Sequence, residues 1–84
     1  MPASPYRLLW LEIAEGQYLD LPDDTRALVD ELLAQLESEP TGLPDAIYDS
    51  ASDQWSAPIG EHGLMLCAVV PEQATVIVLR LIAF

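Results

Sequence analysis

The chain carries 14 Asp and Glu against three Arg in 84 residues, a net charge of −11 at pH 7. Gripping nucleic acid or an anionic lipid surface requires Lys and Arg, so that balance argues against both as direct ligands and favours solubility or a basic partner. A hydrophobic fraction of 51% still supplies enough apolar surface to offset the entropy of ordering, so one small folded domain over residues 1–84 is expected rather than a disordered tail.

The start, Met1 to Pro5, has neither the charged segment nor the apolar run of a secretory leader. Tyr6 to Ile13 follows, bounded by Pro5 and rich in aromatic and branched side chains on both alternating faces, which predicts a largely buried strand. Ala14, Tyr18 and Leu21 fall at i, i+4 and i+7, one face of a short helix that Gly16 weakens by about 1 kcal/mol relative to Ala. Pro22-Asp23-Asp24-Thr25 has the composition of a helix start, with Pro tolerated in the first turn and acids favoured at the positive end of the dipole. The second helix then carries one apolar stripe, Leu28, Val29, Leu32, Leu33 and Leu36, at the 3.6-residue period. Pro40, Gly42 and Pro44 stop it.

From Leu43 to Ser56 the chain is polar and acidic, with Asp45, Asp49 and Asp53 spaced by four, and reads as a loop entering a short strand around Trp55. Pro58 places that strand at an edge or a bulge. Leu64 to Val70 and Thr75 to Ala83 are two further strands, joined by a connection of hairpin length and so paired antiparallel. The expected fold class is α+β, with two N-terminal helices packed on a small, mainly antiparallel four-stranded sheet in the order β-α-α-β-β-β. The last apolar stretch, Val76 to Phe84, is interrupted by Arg80 and falls far short of the ~20 residues of a spanning helix, so no membrane span is expected. Cys67 lies inside the apolar run 64–70 and reads as a buried thiol, which fits a reducing cytoplasm.

Candidate chemistry is sparse. One His and one Cys do not make a structural zinc site, and Asp49-Ser50-Ala51-Ser52-Asp53 lacks the glycine and the closing Glu of a calcium loop, so neither a metal nor another cofactor is expected. His62 sits in the turn-like Gly60-Glu61-His62-Gly63, where an exposed loop histidine is the simpler reading than a general acid or base. In a regular last strand Val76, Val78, Arg80, Ile82 and Phe84 share one face, and Ile77, Leu79, Leu81 and Ala83 share the other. Both faces are apolar and the helices cover only one. The face bearing Arg80, together with Trp55, is therefore the expected partner-binding surface. Arg80 itself is expected to pair with an acid, because a partly buried charge needs a partner.

Several of these patterns together resemble the RelE/ParE superfamily of toxin–antitoxin toxins. They are Tyr6-Arg7 opening a strand with Trp10, Ala14 followed at helical spacing by Tyr18 and then Leu21-Pro22, and Arg26 early in a helix ending at Glu39-Pro40. Gly60-Glu61-His62-Gly63-Leu64 stands where relatives have a glycine-containing turn, and Thr75-Val76-Ile77-Val78-Leu79-Arg80 resembles their closing strand. The resemblance implies that relatives which cut messenger RNA on the ribosome hold it with Arg and Lys on the meander strands and in a C-terminal segment. Here Leu64-Met65-Leu66 and Ser56-Ala57-Pro58 stand at such positions, and the sequence ends at Phe84, where relatives continue into that segment. Only Arg80 and Arg7 carry over. With His62 they are the catalytic set an endoribonuclease would have to use, and they do not supply both proton transfer and stabilisation of developing charge. Three readings follow. The first is a non-catalytic member that binds protein, whether a second copy of itself, the amphipathic helix of an antitoxin-like partner, or a basic protein. The others are a ribosome-dependent endoribonuclease with an unusual site, and an acidic mimic of nucleic acid.

Overall fold

A computed structural model describes residues 6–39, 42–43 and 45–84. The elements run β1 (Arg7–Trp10), α1 (Glu12–Leu19), α2 (Asp23–Ser38), β2 (Ile47–Asp49), β3 (Gln54–Pro58), β4 (Gly63–Val70) and β5 (Thr75–Ala83). The strands form one mixed sheet in the order β1-β5-β4-β3-β2. The α+β class and the two N-terminal helices are as expected, but the sheet has five strands rather than four. The addition is β2, which pairs antiparallel with β3 through Ile47↔Ser56, Tyr48↔Trp55 and Asp49↔Gln54. It falls in the acidic stretch read as loop, where three exposed residues give no alternation to detect. Its turn is held instead by side chains. Asp49 accepts hydrogen bonds from the Ala51 amide (3.0 Å) and the Ser52 hydroxyl (2.9 Å). Pro5, Pro40 and Pro44, expected to bound the first strand and stop the second helix, lie outside the described residues.

β1 pairs parallel with β5, Arg7↔Thr75 through Trp10↔Val78, and the crossover between them contains both helices and the rest of the sheet. α2 follows its stripe. Val29 and Leu36 are fully buried, and Leu28, Leu32 and Leu33 pack partly buried against them. Together with Ala14 and Leu21 from the α1 region they cover one side of the sheet, meeting Ala57, Met65, Cys67, Val76, Val78 and Leu81. Pro58 sits where β3 extends past the end of β2, so its missing N–H breaks no ladder there.

The β3–β4 turn depends on two glycines for different reasons. Gly60 has φ of +55°, the left-handed region. Gly63 pairs with Ala83 so closely that a Cβ there would collide with the Ile82 carbonyl oxygen. Closing bonds run from the Ile59 amide to Gly63 O (2.8 Å) and from the His62 amide to Ile59 O (2.9 Å).

The decisive irregularity lies between β4 and β5. Leu66 pairs with Arg80 but Cys67 pairs with Val78, leaving Leu79 as an extra residue, a β-bulge. Side-chain alternation changes phase across it. Val76 and Val78 face the helices before the bulge, and Leu81 faces them after it.

Candidate functional site

The bulge splits the set expected to form one binding surface. Val76 and Val78 are fully buried under the helices, and Trp55, paired with Cys67, also lies on the helix side, 5.1 Å from the Tyr48 ring. Arg80 and Ile82 point the other way because Leu79 shifts the phase. Phe84 follows the strand, 82% exposed, and its amide donates to His62 O at 2.8 Å. The expectation that Val76, Val78 and Arg80 share a face is thus corrected, since it assumed unbroken alternation.

The uncovered face is assembled from strands whose contribution the sequence did not reveal singly. Register places Leu9 beside Ile77, Ile77 beside Ala68, Leu66 beside Arg80, and Leu64 beside Ile82. Ile47 and Ser56 extend the same face toward the far edge. Leu9 is 46% exposed and Ile47 69%. The alternation Leu64, Leu66, Ala68 in β4 was the available signal for this face. None of the 14 acids lies in β1, β3, β4 or β5, so the middle of the uncovered surface is apolar with Arg80 and Arg7 as its charges, and Asp49, two residues along β2 from Ile47, puts a carboxylate at its far edge.

Arg80 is exposed and, among the described residues, makes neither a hydrogen bond nor an ion pair; the pairing expected for it does not occur. Its charge stays in water, so no partner is required. Arg7 is tied locally. Its Nε–H donates to Thr75 Oγ1 (3.1 Å), and that hydroxyl donates to Gln73 O (2.9 Å). His62 is exposed in the β3–β4 turn. Arg7 therefore lies opposite the first residue of β5 and His62 beside its far end, separated by roughly 25 Å at the usual rise per strand residue. Arg80 lies between them, on the order of 10–15 Å from each. General acid–base chemistry needs partners within about 3 Å of the transferred proton, and these three do not converge on one such point.

The remaining polar chemistry is on the helix side and at the far edge. Tyr18 donates its hydroxyl proton to Asp30 (2.6 Å), packs against Trp10 with ring centres 5.2 Å apart and planes tilted by 58°, and has the Arg26 guanidinium 5.9 Å from its ring centre. Tyr48 donates to Asp53 (2.5 Å). The hydrogen bond to a carboxylate is the main cause that raises each phenol above its ordinary value, so both remain protonated donors at neutral pH. Burial pushes the Cys67 thiol up to about 11, which makes it a poor nucleophile. Among the described residues no group of three or more His, Cys, Asp or Glu converges as a metal site, and no helix is long and apolar enough to cross a membrane.

No family model matches the sequence, and no curated protein matches it. Solved structures do. The archaeal RelE of a RelE–RelB complex from Pyrococcus horikoshii superposes with a TM-score of 0.79 at 18% identity, covering 94% of both chains. A chain of the toxin–antitoxin complex RelBE2 from Mycobacterium tuberculosis gives 0.78 at 23%, covering 95% of this chain and 99% of that one. A YoeB/ParE toxin from Agrobacterium tumefaciens gives 0.79 at 14%, covering 93% and 98%. The fold is RelE/ParE-like over almost the whole chain.

Proposed function

We propose that this protein acts by binding another protein through the helix-free face of its sheet, in a toxin–antitoxin-derived or regulatory system, and that it does not cut RNA. The observation that carries this reading is the continuous apolar surface of Leu9, Ile77, Leu66, Leu64 and Ile82, on the side of the sheet opposite the helices and on strands that carry no acid. Apolar surface of this kind gains free energy when covered, by about 25 cal/mol per Å² removed from water. Similarity to chains found in complexes with partner proteins supports a protein as the occupant. An amphipathic helix suits a flat apolar face, with its polar side reaching the acidic loops around it.

The test is affinity capture from the native host, with intact-mass measurement of the complex. A defined heterocomplex or dimer that Leu66→Asp disrupts, without altering the far-ultraviolet circular dichroism, is the expected result. Growth arrest on overexpression, accompanied by message cleavage at ribosomes and abolished by Arg80→Ala, would overturn the reading in favour of an endoribonuclease.

A further inference from the structure

β1 is shorter than the strand it pairs with. It covers Thr75 to Val78, and the chain then leaves the sheet after a last bond from the Leu11 amide to Val78 O (3.1 Å). The second half of β5, Leu79 to Ala83, therefore has no strand on that side. Backbone direction there is fixed by three observations. The Ile82 carbonyl faces Gly63 and the Phe84 amide bonds to His62 O, both toward β4, while the Leu81 amide donates to the Gln17 side-chain oxygen at 2.8 Å on the opposite side. Leu81 and Ala83 consequently direct their main-chain groups outward. Gln17 satisfies one of these, the Leu81 amide; the Leu81 carbonyl and both groups of Ala83 have no strand opposite them among the described residues.

A cavity of about 280 Å³ opens along this edge, lined by Gln17, Asp20, Leu21, Pro22, Leu81 and Ala83. Leu21, Pro22 and Ala83 supply apolar walls. The Asp20 carboxylate is exposed and makes no ion pair, because the single ion pair among the described residues ties Arg26 to Asp23 (2.8 Å), and Arg26 also donates to Leu21 O (3.2 Å). Edge groups beside an apolar slot and a free carboxylate are complementary to an extended main chain that carries a cation on an alkyl stem.

We infer that the unpaired end of β5 is a strand-addition site for a short extended segment of a partner protein, whose Lys or Arg reaches Asp20. The segment pairs with the main chain at Leu81 and Ala83. Its basic side chain lays its stem on Leu21 and Pro22 and its charge beside Asp20. Gln17 holds the edge closed to other chains in the absence of that segment, by occupying the one donor that a random strand would meet first. This site is at the edge of the sheet and does not depend on the helix-free face.

The test uses the full chain and a defined probe, acetyl-Val-Lys-Val-Lys-Val-amide, followed by amide chemical shifts and hydrogen exchange. Shifts and slowed exchange at Leu81 and Ala83 are expected, with binding about tenfold weaker for a probe N-methylated at alternate amides, which loses main-chain donors. A Glu-for-Lys probe and the Asp20→Asn protein should each weaken binding about threefold. Gln17→Ala, which frees the Leu81 amide, should tighten it about threefold. Glu31→Gln, on the exposed side of α2, should leave probe binding unchanged. Equal binding of the N-methylated probe, shifts confined to Leu64 and Leu66, or no response of Leu81 and Ala83 to any probe would overturn the assignment.

Discussion

The two faces of the sheet are made of nearly the same residue types and have opposite fates. On one, Val76, Val78, Met65 and Cys67 are wholly buried beneath the helices; on the other, Leu9, Ile77, Leu66 and Ile82 have no helix over them. Composition does not separate them. What separates them is where the two helices pack and where one extra residue, Leu79, resets the phase of β5. A strand that is apolar on both sides can be covered on one and kept for a partner on the other, and the position of a bulge decides which side chains serve which purpose.

The sharpest way to break this comparison is to exchange residues two positions apart. Val78→Arg puts a charge under the helices without a partner and should destabilise the fold by more than about 4 kcal/mol, whereas Arg80→Val should shift stability by less than about 0.5 kcal/mol. Urea unfolding of both variants checks it, and equal effects would mean that the two side chains share a face after all. Gly63→Ala comes next. The new Cβ meets the Ile82 carbonyl, so β4 and β5 must separate locally, and a loss of about 3 kcal/mol is expected in the same measurement.

Alkaline pH probes the covered face alone. The Cys67 thiol ionises near 9.0 in the unfolded chain and near 11 when folded, so the unfolded state binds fewer protons between those values. Stability is full below pH 9 and should fall as pH rises toward 11, by at most about 3 kcal/mol. Tyr18 and Tyr48 are shifted in the same direction and add to the decline above pH 10. Cys67→Ala should remove the part of the slope that begins near pH 9. A small gain is expected on α1. Gly16 is helical with open space around its missing Cβ, so Gly16→Ala should gain about 0.5–1 kcal/mol in thermal unfolding.

Both helices were legible because their periodicity is local: the stripe from Leu28 to Leu36 buries as its spacing predicts. β2 was not, since its three residues are all exposed and its pairing is set by the turn that Asp49 ties together. The open face was half legible. The sequence revealed an apolar surface in excess of what two helices cover, and it placed Arg80 and Ile82 on it. It assigned Val76 and Val78 there too, because a bulge is a property of two strands in register and leaves no mark on one strand's pattern; Trp55 was misplaced for a separate reason, since only its pairing with Cys67 puts it on the helix side. Arg7, Arg80 and His62 were adjacent only as a set of residue types; parallel pairing of β1 and the length of β5 spread them along the sheet.

Hydrogen exchange of the purified complex tests the central claim most directly. If the helix-free face is the binding surface, amides around Leu9, Leu64, Leu66, Ile77 and Ile82 should exchange more slowly in the complex than in the isolated protein, with the outer surface of α2 unchanged. Protection confined to α2, or an exchange pattern on the sheet identical in the two states, would contradict it.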